Sequence, residues 1–192
     1  MQPNNILTRV LTKPLHYMLR YLFKSEKHLK AGIITIVLLA ALALFYKYLI
    51  VIFFIMLGAV SLIHTIWTKN YFGFELCILA TVICAIKFGP LVGALVGATS
   101  IVLGLILSTN LDAGLFLAAI MFGAVGIIAS FFTFQQVLFA GMLCAIVYDF
   151  VMVGFYLLMG SSPVTSGVYF VTHMLTTYYV FTFLAPVLIN II

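Results

Sequence analysis

The chain has 192 residues, of which 66% are hydrophobic and 7% are charged. Soluble domains are about half apolar and about a quarter charged, so this composition excludes an ordinary soluble globular domain. Nine basic and four acidic residues cannot keep a 21.2 kDa chain of this composition in water. The composition instead predicts an all-α fold, a polytopic transmembrane helical bundle, because continuously apolar segments in lipid form helices rather than open sheets.

The first thirty residues form a basic arm with a net charge of +5, whereas the remaining residues sum to zero. Basic side chains recur at helical spacing along the arm and apolar residues fill the opposite side, which is typical of a helix lying in the membrane interface. We expect five of them to contact lipid headgroups: Arg9, Lys13, Arg20, Lys24 and Lys27. Positive charge beside a first span also predicts that the arm is cytoplasmic, at the plasma membrane.

The predicted transmembrane domain, residues 31–192, divides at short polar or turn segments, and each span needs roughly 20 residues. One of these divisions is Tyr46-Lys47-Tyr48, and another is Lys69-Asn70. The first and third spans are short, so we expect six or seven in total. The predicted spans are 31–46, 48–67, 71–88, 90–108, 113–132, 136–159 and 168–190.

Small residues recur at helical spacing in two neighbouring predicted spans. In a membrane helix such residues let another backbone approach closely. We expect them to mediate packing within the bundle, and the alternative is a face that contacts a partner protein. The residues concerned are Gly89, Gly93, Gly97, Gly123 and Gly126.

The run Phe88-Gly89-Pro90, followed by Gly93 and Gly97 between two apolar helices, resembles the substrate-binding S components of energy-coupling factor vitamin transporters. The resemblance covers about residues 72–192. It implies a membrane subunit that binds a small molecule. The energy for transport would come from partner proteins, namely a coupling subunit and its ATPases. It also implies six spans with the glycine-proline turn on the cytoplasmic side, whereas seven spans from a cytoplasmic arm place that turn outside.

Ionisable residues inside predicted spans are the first candidates for a binding role, because a charge in lipid is costly. Asp149 lies near the middle of span 136–159 and has no charged neighbour in that span. Its carboxyl must find hydrogen-bond donors in the bundle, in a partner or on a ligand. Consecutive helices tend to pack together, so Thr172, His173 or Thr176 of the last span are plausible donors.

The last predicted span also carries hydroxyl-bearing aromatic residues together with one imidazole. Tyr169, Thr172 and His173 predict, with Asp149, a substrate pocket for a flat heterocycle. Anchoring of the tyrosines at the membrane interface is the alternative. Glu75 opens a predicted span, where an acid interacts favourably with the helix dipole.

The sequence contains no catalytic or nucleotide-binding signature. It has no phosphate loop of the G-x-x-x-x-G-K-S/T type, no H-x-x-x-H pair and no Ser/His/Asp or Cys/His pattern. We therefore expect no enzyme activity, no cofactor, no metal and, since the basic arm is tethered beside the bilayer, no nucleic acid. The leading hypothesis is a substrate-binding subunit of an ATP-driven micronutrient importer, in contact with lipid and with other membrane subunits. The alternative is a non-catalytic scaffold subunit similar to the rod-shape-determining membrane proteins.

The basic arm gives a first testable prediction. A single reporter cysteine introduced as Arg9→Cys should resist an impermeant thiol reagent in intact cells and react after the membrane is opened, because the arm is expected on the cytoplasmic leaflet. Cys77, Cys84 and Cys144 are replaced by Ala so that only the reporter is labelled. Ready labelling from outside would contradict the predicted orientation.

Overall fold

The computed structural model of the protein describes residues 26–68, 72–109, 111 and 113–192. Within these ranges every regular element is helical and there is no strand, which confirms the predicted all-α class. The chain forms two compact units, Met1–Lys47 and Tyr48–Ile192. The candidate site lies within the second unit.

Eight α-helices occupy most of the described chain, and each begins and ends near a polar or turn residue. A 3₁₀ turn at Phe134–Gln136 precedes the sixth of them, and a π-helix at Val180–Leu184 connects the last two. The helices are α1 Glu26–Ser61, α2 Thr65–Thr68, α3 Cys77–Phe88, α4 Pro90–Leu107, α5 Gly114–Ala129, α6 Val137–Leu158, α7 Pro163–Tyr179 and α8 Ala185–Ile191.

Among the described residues, four helical segments are long and apolar enough to cross a membrane: Phe45–Trp67, Pro90–Leu107, Phe134–Leu158 and Pro163–Ile191. Large apolar side chains cover their outer surface; Phe150, for example, is 78% exposed. Polar side chains lie inside instead, an arrangement that is stable in lipid and not in water. The chain is therefore an integral membrane protein.

The predicted spans match the observed helices best in the middle of the chain, where α4, α5 and α6 lie within three residues of the predicted bounds. The last span begins earlier than predicted, at Pro163, because proline's missing N–H is harmless in the first turn of a helix. The predicted break at Tyr46-Lys47-Tyr48 is wrong, since α1 continues through it. Lysine and tyrosine are compatible with a helix interior, so they do not end one.

Helix α3 is short and lies inside the second unit. Its residues Cys77 to Ala85 are all buried, and it contacts α4, α5, α6 and α8. Its twelve residues extend about 18 Å at 1.5 Å per residue. That is shorter than the bilayer core of about 30 Å. A helix enclosed by protein does not need to match the bilayer, and the non-helical segment 72–76 that leads into it is tolerated for the same reason.

Three of the predicted packing glycines lie at close helix contacts. A Cβ atom added to Gly93 would lie 2.7 Å from Ala85 Cα, and one added to Gly126 would lie 2.7 Å from Ala94 Cα. The corresponding atom on Gly97 would lie 2.9 Å from Phe122 Cδ1. These distances are too short for a side chain, so the α3–α4 and α4–α5 contacts depend on glycine.

The other two glycines lie elsewhere. A Cβ atom on Gly123 would have no atom within 4 Å. Gly89 connects α3 to α4 with φ of 94°, a conformation that side-chain-bearing residues rarely adopt. Gly89 thus provides the turn itself, and Gly123 leaves a small open surface on α5.

Gly126 and Gly123, on the same helix, form a matched pair for a stability test. Gly126→Ala should destabilise the protein by about 1–3 kcal/mol, because its methyl group would meet the α4 backbone. Gly123→Ala should be neutral or stabilising by up to about 1 kcal/mol, because Ala is the better helix former. Thermal unfolding in detergent can be followed with a thiol-reactive fluorophore, since Cys77, Cys84 and Cys144 are buried and free. Equal midpoints for the two variants would contradict the close α4–α5 contact.

Candidate functional site

Three ionisable side chains from separate segments meet inside the second unit. His173 Nδ1 of α7 lies 2.6 Å from Asp149 Oδ1 of α6, and His173 Nε2 lies 3.4 Å from Glu75 Oε1, just before α3. Asp149 and His173 are 0% exposed and Glu75 is 7% exposed. We refer to these three residues as the His173 cluster.

The two contacts of the cluster differ in quality. The contact between His173 and Asp149 has the length of a charge-assisted hydrogen bond. The contact between His173 and Glu75 is within ion-pair distance but too poorly aligned for a hydrogen bond, so Glu75 Oε1 and His173 Nε2 have no hydrogen-bond partner within the described part of the chain. Asp149 Oδ2 is likewise buried without a partner among those residues. The His173 cluster therefore has a short hydrogen bond on the Asp149 side and a longer contact without a hydrogen bond on the Glu75 side.

Two tyrosine rings fix the orientation of the imidazole. Tyr169 stacks on the His173 ring with centroids 5.6 Å apart, and Tyr148 meets it edge-on at 6.2 Å. Such contacts restrict the ring to one plane. The imidazole therefore keeps Nδ1 directed at α6 and Nε2 directed at segment 72–76.

Segment 72–76 is held against α7 by its backbone. The Gly73 N–H donates a hydrogen bond to Thr172 Oγ1 at 3.0 Å, and the Thr176 hydroxyl donates one to the Gly73 carbonyl at 2.6 Å. A Cβ atom on Gly73 would lie 2.8 Å from His173 Cα, so only glycine fits this approach. These bonds satisfy backbone groups that lipid could not satisfy, and they place Glu75 beside His173.

A cavity of ≈ 290 Å³ adjoins the cluster. Glu75, Tyr148, Tyr156 and Tyr169 line it, and Thr165 and Ser166 contribute hydroxyl groups near the start of α7. Among the described residues that line this cavity, Glu75 alone carries a formal charge. Ligand sites for drug-sized molecules usually measure about 300–1,000 Å³. The cavity therefore suits a small molecule, with one carboxylate in an otherwise aromatic and hydroxyl-rich wall.

The structure brings most of the predicted site residues together, but only some of them line the cavity. Asp149 and His173 lie behind the cavity, and Tyr169 lines it. The Thr172 hydroxyl is engaged by the Gly73 backbone and by carbonyls of its own helix. Glu75 was missed as a site residue, because an acid at the apparent start of a span has a sufficient explanation in the helix dipole. Its position between Phe74 and the apolar run that begins at Leu76 was the available signal.

Four of the predicted headgroup-binding residues, Arg9, Lys13, Arg20 and Lys24, lie outside the described residues. Lys27 falls in the first turn of α1, where the structure describes the backbone. Within the described ranges no group of three or more His, Cys, Asp or Glu side chains is arranged to hold a metal ion.

Comparison of the chain with protein-family models, with curated proteins and with solved structures finds no match. The resemblance to energy-coupling factor S components thus stays a prediction that rests on the sequence pattern around Gly89. Functional inference depends on the cluster and the cavity themselves.

The pairing of Asp149 with His173 gives a stability prediction. Asp149→Leu should lower the free energy of unfolding by about 1–3 kcal/mol, because it leaves the His173 Nδ1 group buried without a partner. Asp149→Asn keeps an oxygen acceptor of the same shape but removes the charge from the hydrogen bond, so it should cost less stability than Asp149→Leu. In the double variant Asp149→Leu/His173→Leu, the loss should be clearly less than the sum of the two single losses. Thermal midpoints in detergent are measured for wild type and for the four variants, and an Asp149→Leu variant as stable as wild type would disprove the coupling.

Proposed function

We propose that the protein is a membrane-embedded binding subunit that holds a small molecule for an ATP-driven micronutrient importer. The observation that carries this proposal is the Glu75 carboxylate in the wall of the cavity, supported from behind by His173 and Asp149. Ionisable groups are costly inside a membrane protein and are found there chiefly where they bind or transfer something. A purely structural bundle gains nothing from placing one of them at a cavity wall.

The depth of the cluster supports a transport role. Asp149 lies twelve residues after the start of α6 and His173 ten residues after the start of α7, which correspond to about 18 Å and about 15 Å of helix. Both depths are near the middle of a bilayer core of about 30 Å. Substrate sites of membrane transporters typically lie near this midplane.

We further propose six or seven spans in the plasma membrane, with the basic arm in the cytoplasm. Because α1 continues without a break from Lys30–Leu42 into Phe45–Trp67, these two apolar segments supply one span, which favours six spans over seven. With six spans the Gly89 turn follows the second and lies on the cytoplasmic side, which is the side that the resemblance to S components implies. A cytoplasmic turn would be accessible to ATPase-bearing partner subunits.

The energy for transport would come from those partners. The sequence has no phosphate loop through which the chain could itself hydrolyse ATP. Small open positions on the helices support a contact with other membrane subunits, because Gly123 and Gly154 have no atom within 4 Å of an added Cβ. Another helix can approach such positions closely.

A scaffold subunit of a membrane complex is the second candidate, and the same open positions favour it. It differs from the first in its relation to the cavity, because a scaffold needs no ligand there. The two proposals therefore separate on a single measurement, the presence of a small molecule in the purified protein.

Native mass spectrometry of the gently solubilised protein should show a bound small molecule in the wild type. Glu75→Gln, which keeps the shape of the side chain and removes its charge, should raise the dissociation constant about tenfold or more, as expected for a lost hydrogen bond to a charged group, and thereby lower the occupied fraction. Lys87→Gln is the matched control, because Lys87 is an exposed charge on the α3 helix that Glu75 precedes. A protein without any ligand, purified from cells grown in rich medium, would favour the scaffold instead.

A further inference from the structure

We propose that the ligand of this cavity is a small organic cation whose charged group pairs with the Glu75 carboxylate. This inference rests on the proposed binding function and specifies the chemical class of the ligand. Three properties of the described residues lead to it: the charge of the His173 cluster, the aromatic content of the wall and the size of the cavity.

The charge of the cluster follows from its contacts. Asp149 and Glu75 are acceptors when ionised, and each nitrogen of His173 faces one of them. The hydrogen bond to Asp149 holds one shared proton, and an Nε2–H facing Glu75 Oε1 at 3.4 Å is favoured over two acceptors that repel each other. An imidazolium between two carboxylates fits both contacts and sums to a charge of −1, and moving the proton shared with Asp149 leaves that sum unchanged.

The excess negative charge is directed at the cavity. Asp149 lies deep behind His173, whereas Glu75 lines the cavity and makes the longer, poorly aligned contact with the imidazole. A positive group in the cavity would therefore meet a carboxylate that is only partly compensated. An anionic ligand would face the same carboxylate at close range, where like charges are destabilising.

Aromatic rings supply the rest of the wall. Tyr148, Tyr156 and Tyr169 line the cavity together with Phe72 and Phe74. The faces of such rings carry partial negative charge and attract cations, most strongly where water is excluded. Cavities that combine several aromatic rings with one carboxylate are suited to organic ammonium or pyridinium groups, whose weak hydration makes them easy to transfer out of water.

The size of the cavity separates an organic cation from other positively charged candidates. A volume of ≈ 290 Å³ greatly exceeds that of a bare metal ion, and the described acidic and imidazole groups are not arranged to hold a metal. The same volume lies at the lower end of the usual range of ligand sites, so a lipid with acyl chains does not fit inside. A compact molecule with one cationic group remains.

The test uses the full-length protein in detergent micelles and two matched series of probes. In the flat series, N-methylpyridinium is compared with uncharged pyridine and with anionic benzoate. In the second series, choline is compared with dimethylbutanol, its uncharged carbon isostere. We expect N-methylpyridinium or choline to raise the thermal midpoint in a saturable manner, and the uncharged and anionic probes to have no effect at the same concentrations.

Two sets of variants assign the effect to the cavity. Glu75→Gln should weaken the binding of the cation about tenfold or more, and Lys87→Gln should leave it unchanged. Tyr156→Phe keeps the ring and should preserve the affinity, whereas Tyr156→Leu should weaken it roughly two- to thirtyfold, the range expected for a lost cation–π contact. Tyr156 lines the cavity, so this pair of variants tests the contribution of the aromatic wall.

The outcomes distinguish this inference from the proposed function beneath it. If pyridine, dimethylbutanol or benzoate stabilises the protein as well as its charged counterpart, or if Glu75→Gln binds the cation normally, the cation assignment is overturned while a binding function stands. The assignment is equally overturned if the copurified molecule proves to be neutral or anionic. If no molecule copurifies and no probe binds, both the inference and the proposed function fail.

Discussion

Burial of three ionisable side chains in an apolar bundle is the constraint on which the rest of the structure depends. A lone carboxylate in the bilayer interior is costly, so Asp149 requires His173, and the second imidazole nitrogen in turn requires an acceptor on its other side. That acceptor, Glu75, comes from far earlier in the chain, and it reaches His173 only because segment 72–76 enters the bundle without helical structure. Irregular backbone is tolerated at this depth because Thr172 and Thr176 bind the Gly73 amide groups. The burial of residues Cys77 to Ala85 of α3 accords with the same requirement.

The parts of the fold that sequence predicts well are those fixed by hydrophobicity and turn residues. Helices α4, α5 and α6 have the expected bounds because polar or proline-containing turns flank them. The predicted span 71–88 begins before α3, which starts at Cys77. Hydropathy cannot show that the backbone of the preceding residues bonds to another helix instead of forming helical hydrogen bonds. The break predicted near Lys47 was wrong for the opposite reason: a single cation interrupts hydropathy without interrupting a helix. Hydropathy indicates whether a segment can lie in an apolar environment. It does not indicate which groups the backbone of that segment hydrogen-bonds to.

The sequence likewise predicts some residues of the candidate site and misses others. Asp149 was identifiable because an acid in the middle of an apolar span has no local explanation, and its partner could be sought in the next helix along the chain. The helix dipole already explained an acid at the position of Glu75, so only its distance to His173 in the structure indicated that it belongs to the site. Thr172 illustrates a further limit: its hydroxyl, predicted to bind substrate, accepts a hydrogen bond from the Gly73 amide, and the sequence does not indicate that contact. Sequence identifies side chains that need partners, but several partners are available in a bundle and only the fold selects among them.

The hydrogen bonds between Gly73 and the two α7 threonines also join distant parts of the molecule mechanically. Helix α7 carries His173 and contributes Tyr169 to the cavity, while segment 72–76 continues directly into α3. Gly73 cannot separate from α7 without losing both hydrogen bonds. Helix α3 ends at the Gly89 turn, about 18 Å farther along its axis. Helix α3 therefore connects the segment beside the cavity directly to the glycine-proline turn, with no loop between them.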